Sequence, residues 1–422
     1  MYRPHWLPLL AVAVVACADS TTAPSPSLAT PPAFAVDADP SVIMQKYVAM
    51  GTSISMGWQS DGLIHTTQVD AWPTQLAAAA GVTMRQPLIA FPGCRSPFLA
   101  PLSTFKRLSG ESVAAPPASY TCAPHLPGVE LPTRNVAIAT ASTFNALFTT
   151  PANQGDPFYS QVYARVLRPG TTQLSATLGQ NPRLVSIEFG GNEVLGATSG
   201  IAIPGVTIVP FTTWAPLYTQ LVAAVAAGGR KGVLASLIKD VASFPSFRRG
   251  DEVWADRGAF LAAFHVSVAA DCDASLNLLF IPALVPGAVV AGLTNRAQNL
   301  PPANLSCADG GTGVRDHILS LAEQQVVNSA LAAMSAHIFV TADRHGMALF
   351  ALEALYGRTD LKPPFSSVQV MTSATPYGPY MSLDGIHPAR AGHLVLAQAA
   401  ASALNSRYRL GLPTPTAFIA SR

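Results

Sequence analysis

Three short stretches of the chain hold the side chains that could do chemistry. Gly51-Thr-Ser53 follows an apolar run, Tyr47 to Met50, that reads as a buried strand. A strand that ends in glycine presents its next side chains at the C-terminal edge of a sheet, where α/β folds hold their ligands. Ser53 is therefore the candidate nucleophile, although a serine N-cap would look the same in this stretch alone. Far down the chain, Asp384-Gly-Ile-His387-Pro388 places a carboxylate three residues before an imidazole. That spacing lets Asp384 accept from Nδ1–H of His387, which fixes the tautomer and leaves Nε2 free to take a proton from a serine. Gly190-Gly-Asn192-Glu193 follows a second apolar run, and its glycines let the backbone turn and bring the Asn192 amide over the sheet edge. Gly93, in Phe91-Pro-Gly-Cys94, could add a backbone N–H. Hydroxyl, base, supporting acid and oxyanion donors are what ester hydrolysis through an acyl-serine needs.

Positioning these groups requires a sheet and the helices that cover it. Strands are expected at Tyr47–Met50, Val82–Gln86, Asn135–Ala139, Leu184–Phe189, Gly232–Leu237 and Met347–Leu352. Helical patterns fall at Ala71–Ala80, Phe158–Leu167, Thr172–Leu178, Trp214–Ala227, Leu319–His345 and Ala389–Tyr408. Strands alternating with longer helices predict an α/β fold, a central parallel sheet with helices on both faces. Two stretches interrupt the alternation. Residues 87–132 are rich in Pro and Ser, and residues 243–313 show little clean periodicity and read as an inserted cap. Residues 41–412 are expected to form one domain carrying both insertions, with 413–422 as a tail. Ser55 is expected to cap the next helix, and His393 to be a partly buried structural histidine.

Composition excludes several partners. The 422 residues are 49% hydrophobic and only 11% charged, with a net charge of +2, so there is no basic patch for nucleic acid. No strand is followed by a Gly-x-Gly-x-x-Gly or phosphate-loop pattern, and no close Cys/His pair has metal-ligand spacing. No cofactor or metal is expected, and the chain is expected to act as a monomer. The other histidines, His65, His125, His265, His317, His337 and His345, are scattered without ligand spacing.

The N-terminus reads as a targeting segment. Arg3 precedes an apolar stretch, Leu7 to Ala16, that is too short to span a bilayer and ends in Val14-Val-Ala-Cys17. This resembles a bacterial lipobox, which predicts a leader over 1–17, lipidation of Cys17, and a lipid anchor in the cell envelope, at the outer membrane or facing the periplasm. Residues 18–40, rich in Ser, Thr, Ala and Pro, read as a flexible tether. Four cysteines remain: Cys94, Cys122, Cys272 and Cys307. An even count in an exported chain suggests two disulfides. Sequence allows three pairings, of which the neighbours Cys94–Cys122 and Cys272–Cys307 are expected.

Taken in order, the three blocks resemble the SGNH (GDSL-type) hydrolase family. Gly51-Thr-Ser-Ile-Ser55 resembles the family's Gly-Asp-Ser-Leu-Ser, Gly190-Gly-Asn-Glu193 its Gly-x-Asn-Asp, and Ser382-Leu-Asp-Gly-Ile-His-Pro388 its third catalytic block. Lys239-Asp-Val-Ala-Ser-Phe-Pro245 also resembles a segment of bacterial members. The resemblance implies a three-layer α/β/α fold, Ser53 as nucleophile, His387 as base and Asp384 as its support. It also implies Gly93 and Asn192 as oxyanion donors. Thr52 and Glu193 depart from the family's acids at positions that are not catalytic. The expected activity is a serine-dependent lipase or esterase acting on carboxylic esters, with the apolar insertion suggesting acyl chains or lipids. The alternatives are a carbohydrate O-acetyl esterase of the same fold, or a surface-tethered binding module that no longer turns over.

Overall fold

A computed structural model describes residues 40–114 and 120–416. The leader, Cys17, nearly all of the tether and the end of the tail lie outside the described residues. Tyr47–Gly51 forms the first strand, with every residue buried. It pairs in parallel with Leu184–Glu188, which pairs with Lys231–Ser236, which pairs with Ala348–Ala351. Continuous apolar strands of this kind are those buried on both faces.

Beyond the first strand the chain adds an irregular parallel edge. Ala49 N–H donates to Arg134 O at 2.8 Å, and Val136 and Ile138 donate to Ala49 O and Gly51 O at 2.8 and 3.0 Å. The expected strand at Asn135–Ala139 is therefore this edge. The strand expected at Val82–Gln86 does not form. That segment forms no ladder: Arg134 and Asn135 N–H both donate to the single acceptor Arg85 O, at 2.8 and 3.4 Å, and Pro87 can donate nothing to a ladder.

Helices Trp72–Ala79 and Arg390–Tyr408 cover one face of the sheet, and Phe211–Ala226 and Leu321–Arg344 the other. Each presents a stripe at helical spacing. Arg390–Tyr408 buries His393, Leu396, Ala397, Ala400 and Leu404, and Leu321–Arg344 buries Val327, Leu331, Met334 and Ile338. Leu321–Arg344 alone among the described helices is long and apolar enough to cross a membrane, and its stripe lies in the protein core.

The 243–313 insertion is more ordered than its sequence suggests. It holds helices Gly250–Ala255, Arg257–Phe264 and Ile281–Ala297. Strand Val266–Val268 pairs with Ala303–Leu305, and Leu278–Phe280 pairs with both Phe247–Arg249 and Ile318–Leu319. These elements close on a second apolar cluster around Val253, Phe260, Val285 and Val289. Ile281–Ala297 escapes a reading by periodicity because Pro282, Pro286 and two glycines look like breaks. Pro282 sits in the first turn, where it costs no hydrogen bond. Gly292 lets the helix approach the chain closely, since a Cβ there would lie 2.4 Å from Phe264 O. The two disulfides pair as expected, Cys94 with Cys122 and Cys272 with Cys307.

His393 is fully rather than partly buried, and neither ring nitrogen has a hydrogen-bond partner. Burial, reinforced by nearby His387, pushes its pKa from 6.5 down to about 3. The unfolded chain therefore takes up this proton first. Its contribution is present in full above pH 6.5 and is lost as pH falls toward 3, a loss on the order of 4 kcal/mol. His393→Phe is expected to flatten the acid limb of a urea-unfolding series between pH 6.5 and 4; an unchanged slope would contradict this assignment.

Candidate active site

Ser53 is placed by the way the first strand stops. Gly51 is tight: a Cβ there would lie 2.8 Å from Ser55 Oγ and 3.0 Å from Glu188 O. Thr52 is extended, and a single helical turn, Ser53–Met56, follows and ends at Gly57 in the left-handed region. Ser53 is the first residue of that turn, so its N–H has no acceptor within the helix. Ser55 does not cap the next helix. It lies inside the turn, donating from Oγ to Glu188 Oε2 at 3.0 Å and accepting from Trp72 Nε1 at 3.1 Å.

The distant loop meets this turn. His387 Nε2 lies 2.9 Å from Ser53 Oγ, and His387 Nδ1 lies 2.9 Å from Asp384 Oδ2. Asp384 is buried and heavily hydrogen-bonded. Its Oδ1 accepts from Ser382 Oγ at 3.0 Å and from Ile386 and His387 N–H at 2.9 and 2.8 Å; Oδ2 also accepts from Asp61 N–H at 2.8 Å. Burial alone would raise the carboxyl pKa, but the His387 ring and these N–H donors outweigh it and hold it at about 2. Asp384 is thus an anion that keeps Nδ1 of His387 protonated and Nε2 turned to the serine. Two further bonds tie the loops together: Ser60 N–H donates to Ser382 Oγ at 2.8 Å, and Leu383 N–H donates to Ser60 Oγ at 3.2 Å.

Asn192 reaches the same place. Its Nδ2 donates one bond to Ala141 O at 2.9 Å, and the residue lines the space beside Ser53 and His387. Glu193, the departure from the family pattern, is buried and accepts from Thr143 N–H and Oγ1 at 2.7 and 2.8 Å, which anchors the Asn192 turn.

Gly93 does not join the site. Its N–H donates to Ala90 O at 2.9 Å, and it lines neither cavity beside Ser53. The glycine is there for closeness: φ is +108°, and a Cβ would lie 2.3 Å from Leu63 O. The place expected for it is taken by Ala139 and Thr140, where the irregular edge ends next to Ser53 and Asn192. Thr140 has φ +63°, and its N–H donates to no group among the described residues.

Sequence reasoning missed two further groups. Asp61, whose N–H steadies Asp384, has its own Oδ2 2.8 Å from both Arg95 and Arg107, and Arg107 is itself buried. The faint signal was the Ser60-Asp61-Gly62 turn. Glu188 lies under the Ser53 turn, fully buried. It accepts from Thr52 N–H at 3.0 Å, Thr52 Oγ1 at 2.8 Å, and Ser55 N–H and Oγ at 3.3 and 3.0 Å. Thr52, the other departure from the family pattern, is thereby explained as a hydroxyl donor to a buried acid. Glu188→Ala leaves these donors without a partner and is expected to cost about 3 kcal/mol, read as a lower urea midpoint; an unchanged midpoint would remove Glu188 from this role.

Two cavities meet at Ser53, Asn192, Ile386 and His387. One, of about 70 Å³, runs between the sheet edge and helix Leu321–Arg344. The other, of about 320 Å³, is walled by Asp61, Arg95, Tyr159 and the start of helix Ile281–Ala297. Among the described residues the one cluster of metal-ligand type is Asp271 with Cys272 and Cys307. Its sulfurs are joined in a disulfide, and its carboxylate accepts from Ser306 Oγ and Cys307 N–H.

No family model and no curated protein matches this chain. Among solved structures the chain is similar to an extracellular lipase from Streptomyces rimosus at 12% identity. That match covers 86% of this chain and 98% of that one, with a TM-score of 0.27.

Proposed function

We propose that this chain is a carboxylic-ester hydrolase of the SGNH type that works through an acyl-enzyme on Ser53. The observation that carries the proposal is the unbroken line Ser53 Oγ–His387 Nε2, His387 Nδ1–Asp384 Oδ2, with both contacts at 2.9 Å. In the proposed reaction Ser53 Oγ attacks the ester carbonyl as His387 Nε2 takes its proton. The carbonyl oxygen becomes an oxyanion held by the N–H of Ser53, the N–H of Thr140 and the Asn192 amide. His387 returns the proton to the leaving alcohol, and the C–O bond breaks. Water then repeats the sequence on the acyl-serine and releases the acid.

The test is hydrolysis of p-nitrophenyl esters by the purified chain beside release of acetate from an O-acetylated polysaccharide. Turnover of the first supports a lipase or esterase, and turnover of the glycan alone supports the O-acetyl esterase. No turnover of either would overturn the proposal. Export is proposed with it, since paired cysteines suit an oxidising compartment. Lipidation of Cys17 is part of the same proposal, and the mass of the mature N-terminal peptide tests it.

A further inference from the structure

Cations that are scattered along the sequence are gathered by the fold. The first strand begins at Tyr47, the second at Leu184 and the third at Lys231, and these residues lie opposite one another in the parallel register. Lys46, Arg183 and Arg230, each one residue earlier, therefore stand side by side along one edge of the sheet. Backbone bonds keep the row in step: Arg183 N–H donates to Lys46 O and Lys231 N–H to Arg183 O, both at 3.0 Å. Neighbouring strands lie about 5 Å apart, less than the ~8 Å over which salt screens a charge, so the fields of the row add.

Two surface depressions open on this edge, and no acid lines either of them. One is lined by Lys46, Arg183, Arg230 and Lys231, the other by Arg85 and Arg134. Lys46, Arg85 and Arg183 are exposed. Among the described residues none of the six has a carboxylate within ion-pair distance. Arg134 has Nη1 buried without a partner, and burial followed by the Arg85 guanidinium lowers its pKa from the usual arginine value. The acids of the candidate active site lie at the other end of the strands, where Glu188 closes the second one, about 17 Å away.

We propose that this basic edge docks on an anionic lipid bilayer, with the strand ends that carry Ser53 facing away from it. Charge complementarity calls for a polyanion, and each cation that approaches such a surface strengthens binding by about fivefold. The course of the chain selects a membrane. Residues 1–39 join the fold at helix Pro40–Met44, whose Ile43 and Met44 line the two depressions. A tether running back to Cys17 thus leaves the domain at this edge. The choice of occupant rests on export as proposed above; the basic edge does not, and neither depends on ester turnover. Substrates in this arrangement reach Ser53 from the aqueous side.

The experiment is co-sedimentation of the full chain with phosphatidylcholine vesicles, with and without about one-third phosphatidylglycerol, at low and at high salt. Wild type should partition about 100-fold more strongly onto the anionic vesicles at low salt, and the preference should vanish at high salt. Binding to phosphatidylcholine alone reads what does not depend on charge. In Lys46→Gln/Arg183→Gln/Arg230→Gln the preference should fall by at least about 30-fold. The control Lys239→Gln/Arg257→Gln/Arg315→Gln removes the same net charge from exposed positions elsewhere, and should lose less than about threefold. Melting curves report folding, and Lys46→Gln/Arg183→Gln, expected to lose about tenfold, stands in if the triple variant is unfolded. A wild-type preference under about threefold, or equal losses in the two triple variants, would overturn the docking assignment. Tighter capture of a short DNA duplex than of the anionic vesicles at the same salt would also overturn it and give the edge to nucleic acid.

Discussion

Alanine at Ser53 or at His387 is expected to lower kcat for an ester substrate by a factor on the order of 10⁴ to 10⁶, and the double substitution to lower it little further. The reason is geometric. Ser53 Oγ and His387 Nε2 share one hydrogen bond of 2.9 Å, so neither has a task once the other is gone. Residual rate would come from the oxyanion donors and substrate binding alone. Ser53 is 7% exposed and at the surface of the cavities, so truncating its hydroxyl should leave folding intact. The measurement is kcat with a saturating p-nitrophenyl ester for both single variants and the double, each with a melting curve. Additive losses would mean that the two side chains act separately, and a fully active single variant would end the assignment.

Asp384→Asn should reduce kcat by about 10³- to 10⁴-fold through a different route. Its carboxylate accepts five bonds, from His387 Nδ1, the N–H groups of Asp61, Ile386 and His387, and Ser382 Oγ. An asparagine turns one acceptor into a donor, which must face a donor or misalign the imidazole. The substitution also carries a pH signature. The folded-state pKa is about 2 against an ordinary 3.8, so the carboxylate stabilises the fold above the unfolded value. That contribution, about 2 kcal/mol, disappears as pH falls through the window between 3.8 and 2. The stability gap between wild type and Asp384→Asn in urea should therefore narrow between pH 5 and pH 2.5. His393 titrates in both proteins and cancels in the difference. A gap independent of pH would show that Asp384 is not held as an anion.

The parts of this site that could be read from sequence are those set by a few neighbouring residues. A buried run, a glycine and a serine define the Ser53 turn. Asp384 and His387 meet because three residues of backbone bring them together. Asn192 follows from two glycines after a strand, and the four strands of the parallel sheet with the helices that flank them are recovered to within a few residues, whereas the strand expected at Val82–Gln86 and the elements of the 243–313 insertion are not. Gly93 failed because Phe91-Pro-Gly-Cys94 looks like a strand end, whereas the strand beside Tyr47–Gly51 ends at Ala139-Thr140. No residue type in Ala139-Thr-Ala141 announces a turn, and a threonine with positive φ is one that tertiary contacts impose. Asp61, Arg95 and Arg107 were invisible for another reason. They come from separated stretches whose meeting depends on how the 87–132 insertion folds back on the Ser60–Gly62 turn. Glu188 was read as one position of an apolar strand, because the donors that justify a buried acid lie on Thr52 and Ser55, more than a hundred residues away.

The most direct test of the central claim is covalent. The folded full chain, treated with a fluorophosphonate and digested, should carry one phosphonyl group per molecule, on the peptide containing Ser53, at a rate that collapses in His387→Ala. A folded chain that takes up no label, or takes it up on another serine, would contradict the account.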